Sequence, residues 1–146
     1  MEPVSGRVRN MSYQHAVVWL DHLRAVVIDF SVDDDHRHFV ASNTAQRQVH
    51  RKSGPMDSGK APQGSKAADD HAFFDEIVAA IGDAREVLIV GPGQAKTAFR
   101  TDLDRRHPKT AQLVVAVEPM DHPTVDQLLA FARKYFKHVD ALRGDS

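Results

Sequence analysis

A chain of 146 residues with 42% hydrophobic and 27% charged residues is sized for one globular domain and is too apolar for global disorder. It has no cysteine, which excludes a disulfide framework and a thiolate zinc site, and its longest apolar runs fall far short of the ~18 residues a membrane-spanning helix needs. With a net charge of −1, any nucleic-acid role must rest on a local patch and not on the overall field.

Residues 1–12 are polar, contain Pro3 and Gly6, and have no hydrophobic stretch behind Arg7 and Arg9. They are expected as a flexible tail and not a secretory signal, so a cytoplasmic location is the expectation. Ala16-Val17-Val18-Trp19-Leu20 and Ala25-Val26-Val27-Ile28 are β-branched runs joined by Asp21 to Arg24, the pattern of an antiparallel hairpin. Asp33-Asp34-Asp35 marks a solvated turn. A third strand is expected over His38 to Ala41 or, alternatively, over Gln46 to His50. From Arg51 to Lys66, Gly54, Pro55, Gly59, Pro62 and Gly64 accompany serines and lysines, and Met56 is the only large apolar residue. Such a stretch cannot bury enough surface to offset its ordering entropy, and a mobile loop over 51–66 is expected.

Periodic sequence resumes beyond that loop. Asp69 or Asp70 can cap a helix whose apolar stripe is Phe73, Phe74, Ile77, Val78 and Ile81, with Gly82-Asp83 ending it. Val87-Leu88-Ile89-Val90 has the continuous apolar character of a strand covered on both faces, broken by Gly91-Pro92-Gly93. A second helix places Ala95, Ala98, Phe99 and Leu103 inward and stops before Pro108. Leu113 to Val117 is expected as the next buried strand. A third helix starts near Pro123, where Thr124-Val125-Asp126-Gln127 fits a capping box, and turns Val125, Leu128, Leu129, Ala132 and Phe136 inward. Residues 141–146 are expected to fray. The order β-β-β-α-β-α-β-α predicts an α/β fold: one domain over 13–140, a mixed five-stranded sheet with helices on its faces.

Two segments are locally basic. Between Asn43 and Lys66, Arg47, Arg51, Lys52, Lys60 and Lys66 stand against Asp57 alone, the charge balance of an arm that can follow a phosphate backbone. Between Lys96 and Lys109, Lys96, Arg100, Arg105, Arg106 and Lys109 outweigh Asp102 and Asp104, although cations near a helix C-terminus also serve its dipole. Gly91-Pro92-Gly93-Gln94-Ala95-Lys96-Thr97 has the outline of a phosphate loop, but Ala95 stands where glycine must precede the lysine; a structural turn is the expectation. His36 and His38 alternate on a strand and so face one side, yet no third metal ligand is recognisable by spacing. Asp21, Asp29 and Glu118 are the carboxylates a two-metal nuclease would use, though Asp29, mid-strand, has no obvious partner.

Several of these stretches together carry a family resemblance. Phe73 to Ile81, Val87 to Gly93 with Lys96 and Phe99, Val117-Glu118, Asp121-His122-Pro123 and Gln127-Leu128-Leu129 resemble the middle domain of the archaeal and eukaryotic class-1 release factors and Pelota. Val17-Val18-Trp19-Leu20-Asp21-His22 resembles their short bacterial stand-alone relatives, the translational machinery proteins. The resemblance spans residues 13–137 and implies a ribonuclease H-like fold. Release factors carry a Gly-Gly-Gln tripeptide that assists hydrolysis of peptidyl-tRNA; here the corresponding loop has Pro62-Gln63-Gly64, and the tripeptide occurs nowhere in the sequence. A glutamine that must approach an ester closely needs the permissive glycines before it, so release activity is not carried over. The resemblance instead implies a non-catalytic, translation-associated protein that binds the ribosome or tRNA, in rescue, hibernation or stress protection. No cofactor, metal, DNA or membrane partner is expected. The residues expected to make contact are Arg47, Arg51, Lys52, Lys60, Gln63, Lys66, Lys96, Arg100, Arg105, Arg106 and Lys109. A metal-dependent nuclease or phosphoesterase, tested by Asp29→Asn, and a protein-interaction module are the alternatives.

Overall fold

The computed structural model describes residues 14–42 and 63–142. The elements run β1 (His15–Leu20), β2 (Arg24–Phe30), β3 (Asp35–Ala41), α1 (Gln63–Ile81), β4 (Glu86–Gly91), α2 (Ala95–Arg106), α3 (Pro108–Ala111), β5 (Val114–Pro119) and α4 (Val125–Leu142). The sheet order is β3-β2-β1-β4-β5. The first three strands form an antiparallel meander, and β4 and β5 add in parallel to β1, giving the mixed five-stranded α/β sheet that the element order predicts.

Alternation along the central strands explains the two cores. Ala16, Val18 and Leu20 face one side with Val27, Val87 and Ile89, where Phe73, Phe74, Ile77 and Ile81 of α1 and Phe99 and Leu103 of α2 cover them. Val17 and Trp19 face the other side with Ile28, Phe30, Leu88 and Val90, covered by Leu128, Leu129, Ala132 and Phe136 of α4. A strand buried on both faces needs apolar residues at every position, which is why β1 and β4 are unbroken apolar runs.

Helix α4 starts where the capping box predicts. Thr124 N–H donates to Gln127 Oε1 (2.9 Å) and Gln127 N–H donates to Thr124 Oγ1 (3.0 Å), satisfying two otherwise orphaned donors. Arg133 from the same helix donates to the carbonyls of Ser31 (3.1 Å) and Asp34 (3.2 Å), tying α4 to the β2–β3 turn.

Four expectations are corrected. Helix α1 begins at Gln63 and not at Asp69 or Asp70, so Gln63 and Lys66 belong to a helix and not to the 51–66 loop. The residues from Gln63 to Ala72 include no large apolar side chain, and periodicity is blind to a helical turn without an apolar stripe. Strand β3 occupies the first of its two alternatives but starts three residues earlier, at Asp35; the Gln46–His50 alternative lies outside the described residues. Strand β5 is only half-buried because it forms a sheet edge, as its position in the order dictates. Finally, Pro108 opens α3, a single turn absent from the expected order; its missing N–H is no loss at the first helical position.

Candidate nucleic-acid interface

Helix α2 divides its cations between internal and outward-facing roles. Arg106 donates through Nη1 and Nη2 to Asp75 Oδ1 on α1 (3.0 and 2.6 Å) and through Nη1 to Asp102 Oδ2 one turn back (3.3 Å). His107 Nε2 lies 2.8 Å from the same Asp75 oxygen. Asp102 is only 8% exposed, so Arg106 balances a carboxylate that burial would otherwise penalise. Partial burial pushes the Asp75 carboxyl up, but the His107 hydrogen bond and the Arg106 charge outweigh it and hold the group below its ordinary range. Arg100 pairs with Asp104 along the helix, and Lys96 Nζ donates to the carbonyl of Gly93 (2.6 Å).

Of the five cations from Lys96 to Lys109, Lys96, Arg100 and Arg106 therefore hold partners within the domain. Arg105 and Lys109 are exposed at the α2–α3 junction. Arg47, Arg51, Lys52 and Lys60 lie outside the described residues, while Gln63 and Lys66 fall in the first turns of α1.

The carboxylates weighed for two-metal chemistry do not converge. Asp29 stands opposite Ala16 near the start of β1, whereas Asp21 follows the end of that strand and Glu118 is on edge strand β5. Asp21 Oδ1 accepts hydrogen bonds from the backbone of Leu23 (2.8 Å) and Arg24 (2.9 Å), shaping the β1–β2 turn. Asp29 instead meets the two alternating histidines. In the β2–β3 register Asp29 is opposite His36 and Val27 is opposite His38, so all three side chains share one face. One ligand atom from each lies within 4.8 Å of the others. Burial, and secondarily Asp83, raises the Asp29 carboxyl to about 7, and burial followed by the His36 charge lowers His38. The turn centred on Val32 and Asp33, closed by Ser31 N–H donating to the Asp34 carbonyl (2.9 Å), pairs Phe30 with Asp35 and so brings Asp29 opposite His36.

No family model matches the sequence, and no curated protein matches it significantly. Solved structures do match. Archaeoglobus fulgidus Pelota aligns with a TM-score of 0.55 at 15% identity, over 92% of this chain and 37% of its own. Thermoplasma acidophilum Pelota gives 0.52 at 15%, over 86% and 35%. The archaeal translation termination factor aRF1 gives 0.52 at 10%, over 96% and 45%. The fold is the Pelota and release-factor middle-domain fold. The chain spans less than half the length of each of these proteins.

Within this Pelota-like fold, the motifs that carried the resemblance have structural work. Gly91 closes β4 at a φ of 155°, and a Cβ there would run into the carbonyl oxygen of Leu20, so strand β4 can approach the end of β1 only with glycine at this position. With Lys96 folded back onto Gly93, the segment from Gly91 to Thr97 is the structural turn expected. Asp121-His122-Pro123 sits against the end of β1: Trp19 Nε1 donates to the Asp121 carbonyl (2.7 Å) and the His122 ring lies 5.0 Å from the Trp19 ring. The Asp121 hydrogen bond first, then that of Asp21, raises the His122 pKa above its ordinary value.

Proposed function

We propose that the protein is a non-catalytic, translation-associated factor that binds the ribosome or tRNA. The observation that carries this reading is the shared fold with two Pelota proteins and an archaeal termination factor, aligned over 86–96% of the chain. Arg105 and Lys109, outward-facing at one end of α2, supply described cations for a phosphate backbone. Arg47, Arg51, Lys52 and Lys60 extend that charge through the sequence between β3 and α1. Lys96, Arg100 and Arg106 contribute less to contact, because each would have to leave a partner inside the domain. Ribosome rescue, hibernation or stress protection are the roles compatible with a chain that has this fold and no Gly-Gly-Gln.

Co-sedimentation with ribosomes and subunits from growing and starved cells, at low and high salt, tests the proposal. Binding is expected at low salt and is expected to weaken as salt rises, because each neutralised phosphate releases counterions. Replacing Arg105 and Lys109 together with alanine should weaken binding and flatten its salt dependence. Absence from ribosomal fractions under all conditions would overturn the reading and leave the fold untouched.

A further inference from the structure

We propose that Asp29, His36 and His38 form a binding site for one divalent transition-metal ion of the zinc class, between the β2–β3 edge and the C-terminal end of α1. The site is built by register: two imidazoles and a carboxylate stand on one face of adjacent antiparallel strands, directly or diagonally opposite. Imidazole with carboxylate is a donor set for zinc and its neighbours, whereas magnesium prefers oxygen and water. Three protein ligands leave at least one position for water.

A second observation points to a ligand independently. Asp29 is 8% exposed, and its Oδ1 is buried with no hydrogen-bond partner among the described residues. A buried carboxylate oxygen without a donor is costly, and a bound cation supplies the missing contact. The cavity in front of it, about 190 Å³, is lined by Asp29, His36, His38 and the stretch from Ala79 to Ala84. That stretch is the end of α1, where the helix dipole is negative and cations normally gather; here the last turn holds no basic residue and Asp83 follows it. Gly82, at a φ of 61°, lets the chain turn away and leaves the helix end facing the cavity.

Contrast with the other clusters of this composition supports the assignment. Asp75 and Asp102 are already matched by Arg106, with His107 on Asp75 at 2.8 Å, and His15 is paired with Glu86 at 3.1 Å. The imidazoles of His36 and His38 meet edge-on with centroids 4.3 Å apart. With the ligand atoms within 4.8 Å of one another, closing onto an ion at about 2.0–2.1 Å from each is a side-chain adjustment at the exposed His36 and half-buried His38.

The test is titration of chelator-treated, desalted full-length protein with zinc and with cobalt, read by calorimetry, by visible absorption of bound cobalt and by thermal unfolding. One equivalent of zinc is expected to bind and raise the melting temperature, magnesium is expected to do neither, and cobalt is expected to show ligand-field bands. His36→Ala and Asp29→Asn should each weaken zinc binding by more than the ~10–100-fold that loss of an outer-shell partner costs. His138→Ala and His71→Ala should leave it unchanged. His36 is exposed, so its substitution keeps the fold even if Asp29→Asn does not. Zinc binding with wild-type affinity in the His36→Ala/His38→Ala double variant, or no zinc-dependent stabilisation of the wild type, would overturn the site.

Discussion

Two charged clusters on the same face of the sheet solve opposite problems. Between α1 and α2, the buried Asp102 and the half-exposed Asp75 share Arg106, with His107 added to Asp75. Between β2 and β3, the equally buried Asp29 has a carboxylate oxygen with no donor among the described residues, and the like charge of Asp83 acts on it. The first cluster is complete within the chain and works as a staple between helices. The second holds no cation of its own among the described residues, and that is the place the proposed ion would take. Equal burial of a carboxylate thus leads to opposite consequences, decided by whether a cation is in reach.

Removing Arg106 should make the first cluster resemble the second. Arg106→Ala leaves the buried Asp102 with only the His71 imidazole at 3.6 Å and is expected to cost about 2–3 kcal/mol, below the full range for a buried pair because Arg106 is 28% exposed. Urea unfolding checks this, with Arg105→Ala as the comparison, expected within about 0.5 kcal/mol of wild type. An equal effect of both substitutions would remove the distinction between staple and surface cation.

Asp29→Asn should move stability the other way. In chelator and at mildly alkaline pH, removing a buried charge without a partner is expected to stabilise the protein by on the order of 1 kcal/mol. With zinc present the same variant should fall behind wild type, since it cannot gain the ion's binding energy. Denaturation midpoints in the two buffers measure both halves. Destabilisation of equal size in both buffers would mean that the Asp29 carboxylate is already satisfied.

The smallest effect concerns pH. The folded Asp75 carboxyl lies below its ordinary value of 3.8, so its interaction is fully present above that value and is lost as pH falls through the lower folded one. The stability difference between wild type and Asp75→Asn should therefore be constant near neutrality and disappear in acid. Asp75 is 47% exposed, and screening should keep the difference under about 1 kcal/mol. A difference that persists at the lowest pH would show that the amide loses packing and not charge.

Much of the fold was legible because the central strands and helices are dominated by their own apolar pattern. Val87 to Val90 reads as a buried strand on any scale, and the Thr124–Gln127 box marks a helix start without tertiary information. Legibility failed where tertiary position decides. Val114 to Val117 on β5 look buried until the strand is known to be an edge. His36-Arg37-His38-Phe39 is a poor strand by composition, yet β2 holds it in register while Arg37 pairs with Asp35 and Asp126. The staple was illegible for a different reason. Asp75 and Arg106 are separated by 31 positions, and only the packing of α1 beside α2 brings them together. Asp29 and His36 are seven apart and joined by one hairpin, so the paired site needed only the β3 boundary that periodicity missed.

The position of β1 at the centre of the sheet also sets a timetable for synthesis. Its antiparallel edge pairs with β2 almost as soon as both emerge, since Leu20 lies opposite Ala25. Its parallel edge must wait for β4, because His15 pairs with Glu86, 71 residues downstream. At elongation rates of about 5–20 residues per second, a run of unpaired backbone from β1 stands open for roughly 4–14 s. During that interval the β1 edge of the nascent meander is open to any extended segment, and the arrival of β4 covers it, leaving β3 as the lasting edge on that side.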